Sequence, residues 1–135
     1  MILDHLYLSV TDYERARDFY DRALAPLGIS LIMEVGPEQT GRNERAAAFG
    51  RDGKPELFLA TRGEPSPHLH VAFAAPDRSA VRGFHEAALK AGGVDNGAGP
   101  QASLPPHYHE QYYGAFVFDP DGHNIEAVCH RPAET

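Results

Sequence analysis

The sequence predicts an α+β fold made of two copies of a strand-helix-strand-strand-strand (βαβββ) module. The segment HLYLSVTDYERARDFYDRALAPLG, which begins at His5, is repeated as HVAFAAPDRSAVRGFHEAALKAGG from His70, an offset of 70 − 5 = 65 residues. Each copy opens with alternating apolar residues, continues with an apolar stripe at helical spacing, and ends in two strands joined by an Asp-Gly turn.

The first strand and the helix of each copy follow from these patterns. Leu6, Leu8 and Val10 alternate along one strand face, as Val71 and Phe73 do in the second copy. The segment TDYE, residues 11–14, has the form of a capping box at the start of the first helix. The helical stripes are Ala16, Phe19, Tyr20, Ala23 and Leu24 in the first copy, and Val81, Phe84, Ala88 and Leu89 in the second.

The closing hairpins give the remaining strands. AFGRDGKPELFLA, from Ala48, aligns with VFDPDGHNIEAVC, from Val117, at an offset of 117 − 48 = 69 residues. The strands are predicted at 2–10, 29–35, 43–50, 55–60, 67–75, 93–97, 111–118 and 123–129. We expect one domain over residues 1–135, with module one at 1–62, the linker GEPSP, and module two at 67–130.

Composition excludes several function classes. A formal net charge of −7 without a basic patch argues against binding to nucleic acid. The apolar runs are too short to span a bilayer, so no membrane partner is expected. A lone cysteine, Cys129, and the lack of an apolar leader favour a reducing cytoplasm.

Strand parity places three metal-binding side-chain types on one kind of surface. His5, His70 and Glu126 all alternate with residues of the apolar, helix-facing side, so each should point away from the helices. If the modules pair about a pseudo-twofold axis, these faces line one cup with the helices outside. Two imidazoles and one carboxylate suit a divalent ion of iron, manganese, nickel or zinc.

The repeated DHLYLSVTDYERARDFYDRAL segment and the closing DPDGHNIEAV resemble the vicinal oxygen chelate superfamily, which includes glyoxalase I, extradiol dioxygenases, and fosfomycin and bleomycin resistance proteins. The resemblance implies two paired βαβββ modules that form a cup-shaped mixed sheet. It places the metal ligands at His5, His70 and Glu126 and implies a small-molecule substrate and a homodimer, whose interface could complete each site.

Glyoxalase I has a fourth ligand in the last strand of module one. At the offset of 69 that position is 126 − 69 = 57, which is Leu57. The neighbouring Glu56 should then face the other side of the sheet, and a register error of one residue would restore it as a ligand. The expected site therefore has three protein ligands.

Two further site residues are expected beside Glu126. His109 lies near the end of the Gly/Pro-rich loop NGAGPQASLPPHYHE and Tyr113 follows it, and either could orient or protonate a substrate oxygen. His123 is expected to be exposed. The function predicted is a metal-dependent enzyme that chelates a substrate through two oxygens, with isomerase, lyase or dioxygenase chemistry; the alternative is a metal-free small-molecule-binding module like the bleomycin resistance proteins.

Overall fold

The structure of the protein is a computed structural model that describes residues 2–97, 99–102 and 111–133. All eight predicted strands are present, together with the two predicted helices and a four-residue helix, α2, that the sequence pattern did not predict. The first module contains β1 (Leu6–Ser9), α1 (Tyr13–Leu24), β2 (Ser30–Val35), α2 (Pro37–Thr40), β3 (Ala46–Arg51) and β4 (Lys54–Ala60). The second contains β5 (His70–Ala74), α3 (Arg78–Lys90), β6 (Val94–Asp95), β7 (Tyr113–Phe118) and β8 (Asn124–Cys129).

Each module forms its own four-stranded mixed sheet, with the order β1-β4-β3-β2 in the first and β5-β8-β7-β6 in the second. The first strand of each module pairs in parallel with the last one, and the other pairs are antiparallel. Identical order and pairing in both halves confirm the repeated βαβββ module and the α+β class.

The helices cover one face of the sheets, and a single apolar core extends through both modules. All five residues of the predicted α1 stripe are buried, and so are Val81, Phe84 and Ala88 of α3, whereas Leu89 is 37% exposed. Asp12, at the N-terminus of α1, accepts a hydrogen bond from the Arg15 amide, so it supplies the cap within the TDYE segment.

A buried polar contact joins the modules at the Asp-Pro-Asp-Gly turn. The Tyr20 hydroxyl, on α1, donates to Oδ2 of Asp119, while Oδ1 of Asp119 accepts the amides of Asp121 and His123. Burial and the adjacent carboxylate raise the pKa of Tyr20 well above its ordinary value, so the phenol stays a donor. Asp119 thus fixes the turn before β8 and ties it to the first module.

Replacement of Tyr20 with Phe should lower the free energy of unfolding by about 1–3 kcal/mol, because it leaves a buried carboxylate oxygen without its donor. Urea denaturation of the variant measures this loss. Tyr7→Phe is the matched control, since Tyr7 is 41% exposed and the same hydroxyl is removed there from the surface. Equal losses in the two variants would contradict a structural role for the Tyr20–Asp119 contact.

The register of the two hairpins corrects the predicted alignment of the modules. Leu6 pairs with Leu57 as Val71 pairs with Ile125, so the structural offset is 125 − 57 = 68 residues. The predicted offset of 69 residues was one too large because the Asp-Gly pair occupies different positions in the two turns. Asp52 and Gly53 form a two-residue turn with positive φ angles, followed by a bulge in β4, whereas the second turn spans residues 119–123.

The corrected register changes which residue of β4 corresponds to each residue of β8. Leu57 is 2% exposed and lies in the core, so it is not on the His5 face. Phe58, not Leu57, is the structural counterpart of Glu126, since 126 − 68 = 58. The expectation that Glu56 turns away from the His5 face is wrong, because the Glu56 side chain is half exposed and lines the same cavity as His5.

Candidate functional site

His70 and Glu126 form a close pair on the second-module sheet, on the face away from α3. Nε2 of His70 lies 2.8 Å from Oε1 of Glu126, and the Glu126 side chain is only 5% exposed while that of His70 is 53% exposed. In the sheet, Glu126 stands between Ala72 on β5 and Phe116 on β7. The Glu126 carboxylate is therefore buried against the sheet, and the half-exposed His70 imidazole lies between it and solvent.

Burial dominates the electrostatics of Glu126. Desolvation raises the pKa of the Glu126 carboxyl above its ordinary value, and the hydrogen bond and charge of His70 act in the opposite direction. His130, just after β8, also lowers this pKa through its charge. A carboxyl that is buried yet next to two imidazoles can hold or release a proton in response to a bound cation or substrate.

Glycine at position 114 makes room for this carboxylate. A Cβ on Gly114 would lie 3.2 Å from Oε2 of Glu126, 3.1 Å from the Tyr112 hydroxyl oxygen and 2.9 Å from Cε1 of Tyr112. The Tyr112 ring thus folds over the backbone of Gly114, and its edge contacts His130 at a ring separation of 5.5 Å. Tyr112 is 8% exposed and stands beside Glu126.

His5 lies on the other sheet, immediately before β1. Its Nδ1 is 2.9 Å from Oδ1 of Asp4, and its side chain is 54% exposed. The hydrogen bond from His5 lowers the pKa of Asp4, which also lies near Lys54. Lys54 in turn lies 3.5 Å from Oε1 of Glu56. His5 is therefore at one end of a series of charged contacts that runs through Asp4 and Lys54 to Glu56.

A cavity of about 270 Å³ opens between this region and the edge of β5. His5, Glu56 and Arg51 line it on the first-module side, and Ala72 and Ala74 line it on the second. The Arg51 guanidinium donates to the carbonyl oxygens of Leu27 and Ala74, so it holds the two modules together along the cavity.

The structure brings together two of the three expected ligands within one chain. His70 and Glu126 are paired, whereas His5 is paired with Asp4. Over residues 2–97, 99–102 and 111–133, no three His, Cys, Asp or Glu side chains are grouped so that they could hold a metal ion. We refer to two separate groups within one chain as half-sites: His5 and Glu56, which line the same cavity, and the paired His70 and Glu126.

Tyr113, which was expected to reach a substrate oxygen, lies on the core side of its sheet, away from His70 and Glu126. Tyr113 pairs with Cys129, which is buried in the core, and the Arg78 guanidinium from α3 lies 4.8 Å from the centre of its ring. Alternation puts its neighbour Tyr112 on the Glu126 side instead. The parity of Phe116 relative to Glu126 would have indicated this. His109 lies outside the described residues.

His123 was expected to be exposed and is instead fully buried. Its Nδ1 accepts the Leu69 amide, which fixes the backbone directly before His70, and its Nε2 has no hydrogen-bond partner among the described residues. Its position in the DPDGH turn, held by Asp119, explains the burial. His123 therefore supports the strand start that carries His70 and does not face the half-site.

The comparison with protein-family models decides the family. Residues 2–127 match the model of the Glyoxalase/Bleomycin resistance protein/Dioxygenase superfamily. The chain belongs to this superfamily. No curated protein matches the sequence.

Solved structures of the superfamily show the same fold. A glyoxalase/bleomycin resistance protein from Albidiferax ferrireducens T118 is 25% identical with a TM-score of 0.72, and the match covers 96% of this chain and 99% of that one. Glyoxalase I from Zea mays is 25% identical with a TM-score of 0.68, over 94% of this chain but only 45% of the maize chain. A superfamily domain from Frankia sp. EAN1pec, 18% identical with a TM-score of 0.66, matches in fold over 99% and 95% of the two chains.

The helices give no sign of a membrane span. In the part of the chain that the structure describes, none of them is both long enough and apolar enough to cross a bilayer.

Proposed function

We propose that the protein is a metal-dependent enzyme that acts on a small molecule through two adjacent oxygen atoms. The observation that carries the proposal is the His70–Glu126 pair, in which a buried carboxylate lies 2.8 Å from a half-exposed imidazole. A buried acid needs a cation or donor beside it, and this one lies at an accessible sheet face. Membership of the superfamily supports the same assignment.

The donor set fits a divalent ion only when two half-sites are combined. Two imidazole nitrogens and two carboxylates, from His5, Glu56, His70 and Glu126, are the ligand types that iron, manganese, nickel and zinc share. Because the half-sites are separate within one chain, we propose that His5 and Glu56 of one protomer meet His70 and Glu126 of a second one in a twofold homodimer. The site of glyoxalase I type would then have four protein ligands.

The residues of the chain have distinct roles in this proposal. A bound divalent ion would supply Lewis-acid chemistry that stabilises negative charge on the substrate oxygens. Glu126, whose pKa is raised by burial, holds or moves a proton at Oε1, and His70 Nε2 keeps that oxygen in place. Tyr112 closes the side of the site next to Oε2 and limits the entry of water. Isomerase, lyase and dioxygenase reactions all fit these roles.

A metal-free binding module is the second candidate. It is favoured by the pairing of His5 with Asp4 and of His70 with Glu126, because both imidazoles already have acidic partners without an ion. In that case the inter-module cavity would bind an organic molecule, as a sequestering protein does.

Metal content and oligomeric state test the proposal together. The protein, prepared without a metal-binding tag, should sediment as a dimer and carry about one iron, manganese, nickel or zinc ion per chain by elemental mass spectrometry. Bound iron would direct assays to oxygen uptake with catechols, and zinc or nickel to thiol adducts of aldehydes. A monomer, or a dimer that neither binds these ions nor gains melting temperature from them, would support the binding module instead.

A further inference from the structure

The first-module sheet carries a row of apolar side chains on its His5 face. Tyr7, Phe58, Ala48 and Met33 are successive partners across β1, β4, β3 and β2. Tyr7 is 41% exposed and Met33 is 48% exposed, which is high for large apolar side chains. We name this row the aryl wall.

Ring geometry makes the aryl wall a continuation of the His5 half-site. The rings of Tyr7 and Phe58 are nearly parallel, at 11° with centroids 6.0 Å apart. The His5 imidazole meets Phe58 edge-on at 5.3 Å. A molecule with an oxygen next to His5 would therefore have its adjoining carbon atoms over or beside these two rings.

The matching row of the second module is chemically different. With offsets of 65 for β1 and 68 for the hairpin, Tyr7, Phe58 and Ala48 correspond to Ala72, Glu126 and Phe116. Module one thus has rings where module two has a methyl group and the buried carboxylate. At the third position the order is reversed, with Ala48 in module one and the Phe116 ring in module two, so the buried carboxylate of Glu126 is the polar group that distinguishes the second row.

The dimensions of the aryl wall suit a small ring better than a protein partner. Polar or small residues flank it on both sides, with His5 and Glu56 in one direction and Ser9 and Ala60 in the other. Equivalent side chains on a strand face are about 7 Å apart, so the strip is about one ring wide. A stable protein interface needs roughly 800 Å² from each partner, far more than this strip offers.

We propose that the aryl wall binds a planar aromatic group of the substrate, while two adjacent oxygens of the same molecule face the His5 and Glu126 half-sites. This inference rests on the proposed function and narrows its substrate class to aryl compounds with neighbouring oxygen atoms. Stacked or edge-on rings contribute to binding beyond their buried area, so the ring itself should be measurable in affinity.

Two hydroxamic acids test the proposal, because both present the same pair of adjacent oxygens. For each acid, the affinity for the metal-loaded dimer is divided by its affinity for the free ion. The ratio of this normalised affinity for benzohydroxamic acid to that for acetohydroxamic acid should be about ten. Phe58→Leu and Tyr7→Leu should each reduce this ratio below about threefold. Leu89→Ala is the control, since Leu89 is a 37% exposed apolar side chain of α3, on the opposite side of the sheets from both half-sites, and it should leave the ratio unchanged.

The outcomes separate the aryl wall from the metal site. Equal affinity for the two acids would overturn the aryl wall while leaving the metal site intact, whereas failure to bind either acid would count against the proposed function. If neither acid binds, a measurement on the metal-free protein still tests the aryl wall. Nuclear Overhauser contacts between benzyl alcohol and the Tyr7 and Phe58 rings are expected, and those to Tyr7 should be lost in Phe58→Leu. Their absence from the native protein, for instance because a partner protomer covers the rings, would overturn the proposal.

Discussion

Replacement of Glu126 with Ala is expected to weaken metal binding by at least about 100-fold and to abolish turnover, because loss of a residue that merely supports a ligand already costs about 10- to 100-fold. Glu126 is the buried acid of its half-site and the partner of His70. Isothermal titration with zinc or nickel measures the change. The control is Glu38→Ala, which removes an exposed carboxylate of α2 from a surface away from both half-sites. Equal affinities of the Glu126→Ala and native proteins would remove Glu126 from the site.

Neutralising Glu126 should raise the stability of the metal-free protein, although loss of the same carboxylate weakens metal binding. Because burial raises the folded-state pKa of Glu126, this carboxyl contributes stability below its unfolded pKa, and the contribution is lost as the pH rises through the folded pKa. Glu126→Gln keeps the shape of the side chain without the charge. We expect this variant to be more stable than the native protein at pH 8, with a difference that shrinks in acid. A native protein that is the more stable of the two at pH 8 would show that His70 outweighs the cost of burial.

Gly50→Ala is expected to destabilise the protein by about 3 kcal/mol, since a Cβ at this position cannot be accommodated without moving backbone. Its ideal position is 1.8 Å from the Lys54 carbonyl oxygen, across the bulged hairpin. The bulge sets the register that brings Leu57 into the core and Glu56 to the His5 side. Urea denaturation should show the loss of stability, and weaker metal binding should accompany it.

Gly36→Ala is the matched control for this change. The nearest atom to a Cβ on Gly36 is Oε2 of Glu38, at 2.9 Å, the far end of a flexible exposed side chain, and its backbone φ is −122°. We therefore expect a change within about 0.5 kcal/mol. If Gly50→Ala were equally mild, the β3–β4 hairpin could adopt another register and the placement of Glu56 would lose its support.

The repeat allowed most of the fold to be predicted from the sequence. Periodicity located the eight strands and both long helices, because apolar alternation and the helical stripe are set by which face each element buries. Parity likewise placed His70 and Glu126 on one face, and the structure confirms that they are paired. The short helix α2 escaped prediction because its four residues, PEQT, contain no apolar periodicity.

The errors came from backbone irregularities that residue types do not reveal. A bulge in β4 and unequal turns shifted the hairpin alignment by one residue, which sent Leu57 to the wrong face and hid Glu56. Tyr113 was expected to reach a substrate, but it shares the core side of β7 with Ala115 and Val117, and its neighbour Tyr112 lies on the Glu126 side. The separation of His5 from His70 depends on how the modules pack, and no local pattern encodes that distance.

If each metal site is assembled from two protomers, as proposed, co-expression of two variants that each fail to bind metal should restore part of the metal content. His5→Ala and Glu126→Ala each damage every site of their own homodimer. In a mixed dimer, sites shared between protomers place both lesions in one site and leave the other intact, so a statistical mixture should recover about a quarter of the native metal content. Sites confined to one chain would each carry a lesion. No metal recovery from folded mixed dimers would therefore show that the site is not shared between protomers.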